Sequence, residues 1–224
     1  MLSKRLKGFT IMEIVIVLVL LGIVAAMAAP PFIRRVQSQQ LYTSGQRIAS
    51  LFDYARKEAL RTGRVAYIYP AYFRTNGIIN GAATSWQESN GLVAFSDDLS
   101  NEGEGNIGQY NQGELFRSIQ VPTTIQLSAN SFMSDENVDT DPSEVGFIIL
   151  PSGEIRVSDN YRDNIHGQSG KEARIILRSE RSSKICQVVW LNAAGQSSNC
   201  PIGINSKDVN ARQRSVCACQ KQDS

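Results

Sequence analysis

Residues 7–29 read KGFTIMEIVIVLVLLGIVAAMAA, and from Ile14 to Ala29 no side chain is polar. That is 16 consecutive residues, and a membrane span takes about 20 predominantly apolar ones. Phe9–Ala29 reaches that length by including a single acid, Glu13. Lys4, Arg5 and Lys7 precede the run. Basic residues at that end stay on the cytoplasmic side and send the remainder of the chain outward.

Three readings compete for this segment. A cleaved secretory signal has a basic start, an apolar stretch of about 7–15 residues and a small-residue cleavage site. Ala26–Ala29 supplies small residues, but the apolar stretch is long for that class. A plain anchor fits the length and leaves Glu13 without a reason. An ionisable side chain in lipid costs about 2.5–3.5 kcal/mol at mid-span on insertion scales, and less near an end, so Glu13 calls for a partner.

Lys7-Gly8-Phe9-Thr10-Ile11-Met12-Glu13 followed by the apolar run resembles the N-terminal signal of type IV prepilins. The resemblance implies that a membrane peptidase cuts between Gly8 and Phe9 on the cytoplasmic face and methylates the new Phe9 amine. Glu13 then becomes the fifth residue of the mature chain, where the family keeps a Glu. Glycine at the junction lets a protease approach the backbone, and the new amine is positive at neutral pH. In a fibre the Glu13 carboxylate could pair with the Phe9 amine of a neighbouring subunit and set the register. Removing one partner of such a buried pair costs about 3–5 kcal/mol. The plainer alternative places Glu13 in the headgroup zone.

Beyond Pro30-Pro31, Leu41, Ile48, Leu51, Phe52, Ala55 and Ala59 follow helical spacing, while Arg47, Arg56, Lys57 and Arg61 fall mostly elsewhere around the wheel. Gly63 fits a C-cap. Phe9–Arg61 as one helix, kinked at the prolines, would be roughly 80 Å long. After Gly63 the pattern changes to short strands: Arg64–Tyr69, Gly91–Ser96, Leu115–Ile119, Thr124–Leu127, Val145–Leu150, Glu154–Val157, Ala173–Arg178 and Ile185–Leu191. Pro151-Ser152-Gly153 reads as a hairpin turn. The expected fold is α+β, with a long N-terminal helix whose membrane-spanning half is followed by an amphipathic half packed on a β-rich globular head. The resulting divisions are a leader over 1–8, a transmembrane or fibre-core helix over 9–29, the amphipathic half over 30–62, the head over 63–200 and a tail over 201–224.

The head sequence sharpens the resemblance. Gly91-Leu92-Val93-Ala94-Phe95-Ser96-Asp97, a Gly/Asn/Glu-rich loop, Leu115-Phe116-Arg117, and Val145-Gly146-Phe147 with Pro151-Ser152-Gly153 are similar to the GspH/FimT/FimU group. That group comprises minor pilins and type II secretion pseudopilins. DNA-binding members of the FimT kind carry a Gly-Arg-x-Arg motif near the C-terminus, where basic side chains contact phosphate. The corresponding place here is Gly195-Gln196-Ser197-Ser198, without either arginine. Arg212 and Arg214 lie later, in a polar tail, and two arginines there read as solvated in preference to DNA-binding.

Charge and composition narrow the function. The formal net charge is +2, which excludes a globally polybasic coat for nucleic acid. Residues 1–74 carry 11 basic and 3 acidic side chains, 75–155 carry 1 and 12, and 156–224 carry 11 and 6. Separated signs suit head-to-tail docking between subunits, unless the segments interleave and cancel in the fold. One histidine, His166, in the loop-like stretch Asn164–Gln168, makes a histidine metal site or a Ser-His-Asp triad hard to build. His166 reads as a surface residue, and no cofactor or metal is expected. The acidic run Asp97–Glu104 invites calcium but lacks the EF-hand spacing, so a solvated hairpin tip is favoured. Trp86 and Trp190 read as packing or interface residues.

All four cysteines, Cys186, Cys200, Cys217 and Cys219, fall in the last 39 residues. An exported chain meets an oxidising compartment, and four cysteines allow three connectivities. Cys186–Cys200 joins a strand to a nearby turn and matches a pair in the resembling family, and such a loop contributes about 3 kcal/mol. It leaves Cys217–Cys219 as a small, strained ring. Pairs that tie the tail to the strand are the alternative. Zinc is disfavoured by spacings of 14, 17 and 2 residues.

Together these readings give a non-enzymatic structural subunit. The resemblance implies a minor type IV pilin, FimU-like, near the fibre tip, that helps prime assembly in twitching, adhesion or DNA uptake. Its partners would be other minor and major pilins, the prepilin peptidase and the inner membrane. The head would be periplasmic before assembly and extracellular in the pilus afterwards. The alternatives are an H-type pseudopilin in a periplasmic pseudopilus and a FimT-like DNA-binding minor pilin, the latter disfavoured.

Overall fold

The computed structural model of the 224-residue chain describes residues 10–83, 85–96, 115–132, 145–158, 167–192, 194–200, 216–217 and 219. Side chains at 27–31, 80–82, 115–116 and 182–184 are outside the description. The chain divides into two compact units, Met1–Gln39 and Gln40–Ser224. Among the described residues the architecture is α+β: one helix, α1 (Ile11–Thr62), followed by ten strands.

In the first unit, α1 is apolar on every face from Ile14 to Val24. From Ile11 to Val24 its large hydrophobic side chains are 48–83% exposed. Pro30 and Pro31 lie inside the helix, and neither has an N–H to donate to the carbonyl four residues back. Among the described residues no helix is long and apolar enough to cross a membrane. Residues 27–31, where the apolar run ends, contribute no described side chains.

In the second unit α1 changes character. Leu41, Ile48, Leu51, Phe52, Ala55 and Ala59, the stripe expected from spacing, are all at most 2% exposed. Phe52 meets Phe147 edge-on at 4.8 Å. The helix stops at Gly63, whose φ of 68° suits glycine and whose N–H donates to the Ala59 carbonyl at 2.9 Å.

The ten described strands pair antiparallel in two sheets. The first has the order β4 (Leu115–Gln120), β3 (Gly91–Ser96), β1 (Ala66–Phe73), β6 (Gly146–Ile149), β7 (Ile155–Ser158), with β2 (Ile79–Ala82) also on β1. The second has the order β10 (Ser197–Asn199), β9 (Ser182–Leu191), β8 (Glu172–Ser179), β5 (Ile125–Phe132). Alternate residues face opposite sides. Ile68, Leu92, Ala94, Phe147 and Ile149 of the first sheet share a core with the helix stripe and with Leu127, Ile175, Leu177 and Val189 of the second. Tyr67, Tyr69, Phe73, Val93 and Phe95 cluster on the first sheet's other face.

A proline in a central strand requires explanation, because it cannot complete the ladder. Along one edge, β1 pairs with β6 from Ala66 to Ile68 and with β2 from Ala71 to Phe73. Pro70 falls in the gap between these two partners. Its carbonyl still accepts the Ala83 N–H at 2.9 Å, and its missing donor costs no ladder bond. Trp86 follows β2 and is buried; its Nε1–H donates to the Val145 carbonyl at 2.7 Å.

All eight expected strands are present, Gly91–Ser96 with its expected ends and the other seven with shifted ones. β1 runs on to Phe73, since β2 gives it a second partner. β5 runs on to Phe132, paired along its whole length with β8. The turn at Pro151-Ser152-Gly153 joins β6 to β7: Gly153 has φ 81° and donates to the Leu150 carbonyl at 2.8 Å. β2 and β10 were not expected.

Candidate functional site

The helix start is the first candidate site. Thr10 immediately precedes α1, and its carbonyl accepts N–H bonds from Glu13 and Ile14 at 3.1 and 3.3 Å. Its Oγ1 also accepts the Glu13 N–H at 3.3 Å. Thr10 is therefore the N-cap and Glu13 the third residue of the helix, the Thr-x-x-Glu arrangement of a capping box. A carboxylate in the first turn is also favoured by the helix dipole. Glu13 is exposed. The Thr10 cap, overlooked in reading the sequence, is visible there as the threonine three residues before Glu13. Gly8 and Phe9, the expected cleavage and methylation residues, lie outside the described residues, as do His166, Asp97–Glu104, Arg212 and Arg214.

The second candidate is the corner where β9, β10 and the tail meet. The structure corrects the expected cysteine pairing: Cys186 bonds Cys219 and Cys200 bonds Cys217. Cα separations are 6.3 and 5.8 Å, within the range disulfides need. The expected Cys186–Cys200 pair is defeated by the hairpin. Cys200 donates its N–H to Val188 at 2.9 Å, which puts Cys186 one diagonal step away, and diagonal neighbours stand about 7–8 Å apart. The tail cysteines come over the same face instead. Cys217, Cys200, Val188 and Ile176 form a small buried cluster, with Cys186 and Trp190 beside it. Trp190 donates its Nε1–H to Glu172 at 3.1 Å, and Glu172 and Arg174 are buried polar residues on β8.

On the helix side, β10 is fastened by side chains. Asn199 Nδ2 donates to the Tyr42 carbonyl at 3.1 Å, and Ser197 Oγ donates to the Ala49 carbonyl at 3.1 Å. Gln187 Nε2 donates to Asn199 Oδ1 at 2.9 Å and to the Cys200 carbonyl at 2.5 Å. Gly45 makes this approach feasible, because a Cβ there would sit 2.5 Å from Asn199 Oδ1. Within Gly195-Gln196-Ser197-Ser198, Ser197 is the residue that bonds the helix. Gly195 has φ 70° and lies against Ile155.

Among the described residues, two carboxylates have lowered pKa values, one on β7's approach and one on α1. Glu154 is held below its ordinary range by a hydrogen bond from Ser169, with Arg156 adding a second at 3.1 Å from Nε. Glu58 is held low by its hydrogen bonds from Arg61. Among the described residues, no group of three or more His, Cys, Asp or Glu is placed to hold a metal.

Comparison with known proteins is informative at the N-terminus. The prokaryotic N-terminal methylation motif matches residues 3–29, the span that holds Gly8, Phe9 and Glu13. The match is confined to the N-terminal stretch that holds the start of α1. No curated protein matches the chain. Among solved structures, the type IV minor pilin FimU of Pseudomonas aeruginosa is similar at 12% identity and a TM-score of 0.42, over 74% of this chain and 91% of that one. The minor pseudopilin EpsH from the type 2 secretion system of Vibrio cholerae is similar at 9% identity and a TM-score of 0.42, over 73% and 98%.

Proposed function

We propose that the chain is a minor pilin of the FimU kind, made as a precursor, cut between Gly8 and Phe9, methylated at Phe9, and built into a type IV pilus close to its tip, where it helps prime assembly. The observation that carries this reading is the methylation motif over residues 3–29 on a helix whose start is capped around Glu13. In this reading residues 9–29 hold the subunit in the inner membrane and later form fibre core. The exposed apolar surface from Ile11 to Val24 needs lipid or neighbouring helices to cover it, since an apolar surface left in water is costly. The head takes no catalytic part; it docks on other minor and major pilins.

The mature N-terminus gives the first test: intact-mass and peptide mapping of the protein from membranes should show N-methyl-Phe9 and loss of residues 1–8. An intact leader, or cleavage after Ala29, would sink the proposal. Glu13 is tested by comparing two variants. Glu13→Gln keeps a capping side chain and removes the charge, whereas Glu13→Ala removes both. If charge pairing with a neighbour's Phe9 amine sets the register, both variants lose incorporation into sheared fibres. If Glu13 serves the cap alone, Glu13→Gln is incorporated normally. Deleting the gene separates the machines. Scarce pili with normal secretion supports the pilus, and normal pili with failed secretion assigns the chain to a secretion pseudopilus. Normal levels of both return attention to DNA uptake.

A further inference from the structure

We propose that the native disulfides are a second pattern, reached from a first one by thiol–disulfide exchange, so that the chain is a substrate of a disulfide isomerase as well as of an oxidant. The native bridges are nested: Cys200–Cys217 lies inside Cys186–Cys219. The thiols that meet first are different ones. β9 and β10 are neighbours in sequence and form a local hairpin, so the unfolded or half-formed chain brings their thiols together more often than it brings either to the tail. Within it Cys186, Val188 and Trp190 share one face, by the two-residue period of a strand. Cys200 lies opposite Val188 on that same face, in the same cluster. Cys186 and Cys200 are 14 residues apart, whereas the native bridges span 33 and 17, and shorter loops cost less entropy to close.

A half-formed hairpin can hold Cys186–Cys200, and the finished one opposes it. Diagonal Cα atoms stand about 7–8 Å apart, beyond the usual disulfide range of about 4.4–6.8 Å. The finished hairpin is fixed by Gln187 on the Cys200 carbonyl and by Asn199 on Tyr42 of the helix. Completing it therefore favours moving both sulfurs onto the tail cysteines. Export adds to the bias, and this part rests on the outward topology proposed above. The N-terminal helix leads, so Cys186 and Cys200 reach the oxidant before Cys217 and Cys219.

The exchange balances without net oxidation. An isomerase thiolate attacks Cys200 Sγ of the Cys186–Cys200 bond, and Cys186 leaves as thiolate. Cys186 attacks Cys219 Sγ of a Cys217–Cys219 ring, forming the outer native bridge and freeing the Cys217 thiolate. Cys217 then attacks Cys200 in the mixed disulfide, forming the inner bridge and returning the isomerase thiolate. Two bonds break, two form, and no electrons leave the chain.

The test uses the full chain in detergent, reduced and unfolded, then reoxidised with a small-molecule disulfide with or without a catalytic amount of a Cys-x-x-Cys isomerase. Samples are acid-quenched and alkylated, and bridges are mapped by peptide mass spectrometry. Oxidant alone should give Cys186–Cys200 as the dominant early bridge, and the isomerase should speed both native bridges about tenfold. Native bridges that form directly, at one rate with and without isomerase, overturn the proposal. The doubly substituted Cys217→Ser, Cys219→Ser chain, reoxidised in denaturant, should form Cys186–Cys200, and its failure to do so would also overturn the proposal. In cells lacking the isomerase, the Cys186–Cys200 peptide should accumulate. Four free thiols there would instead defeat the outward topology, with the refolding result standing on its own.

Discussion

One helix behaves as two materials. From Ile11 to Val24 every large hydrophobic side chain of α1 is exposed, whereas the stripe from Leu41 to Ala59 is sealed to 2% or less. The difference is in the pattern. The first stretch is apolar on every face, so no single sheet could cover it, and such a helix belongs inside lipid or a bundle. The second concentrates its apolar residues on one face, and its own head covers that face. Folding of the head therefore depends on the second half, and the first half keeps its apolar surface uncovered.

That division breaks or holds under substitution. The largest effect belongs to Phe52→Ala, which removes a buried ring packed on Phe147 and should cost about 3–5 kcal/mol in urea unfolding of the detergent-solubilised chain. Leu20→Ala, in the exposed half, should change the same midpoint by no more than about 0.5 kcal/mol. A loss of several kcal/mol at Leu20 would show that the head draws stability from the first half and would end the comparison. Next comes Gly45→Val. Helix propensity favours it over glycine, but its side chain collides with Asn199 and Gln187, so a net loss of about 1–3 kcal/mol is expected, partly recovered by adding Asn199→Ala. If Gly45→Val stabilises the protein, β10 does not seat on the helix as described.

The smallest effect is in acid. The folded Glu154 carboxyl titrates below its ordinary range. Its contribution is complete above the ordinary carboxylate pKa and is lost as pH falls through the lowered one. Glu154→Gln should therefore flatten the acid limb of a stability–pH curve by lowering its neutral end slightly while the acid end stays where it was, and the drop is small because the group is half-exposed and screened. An acid limb identical to that of the parent chain would show that Ser169 and Arg156 do not hold this carboxylate.

Much of this architecture was legible in the sequence where one physical signal dominates. The stripe from Leu41 to Ala59 follows helical spacing, Gly63 ends the helix, and Pro151-Ser152-Gly153 forces a turn. The missed elements owe their structure to distant neighbours. Ile79–Ala82 has little strand character of its own and pairs because β1 continues past Pro70. Ser197–Asn199 is a polar tripeptide held by carbonyls of Tyr42 and Ala49, about 150 residues earlier in the chain. Cysteine pairing was misjudged for the same reason: separation along the chain favours Cys186–Cys200, and only the β9–β10 register shows the two a diagonal apart. At the helix start the motif around Gly8, Phe9 and Glu13 was plain in the sequence, whereas the role of Thr10 emerged from its bonds to the Glu13 amide.

Pro70 also has a consequence for how the first sheet avoids error. A strand as apolar as β1 could slide past its neighbours by one residue with little loss of greasy contact, and the slip would put Tyr67 and Tyr69 on the helix side in place of Ile68. Proline makes β1 asymmetric. Its ring is tolerated only at the interval where β6 has ended and β2 has not begun, and any shift would set it against a carbonyl left with no donor. One residue thus acts as an index mark, aligning three strands and discouraging wrong pairings in a chain rich in sticky edges.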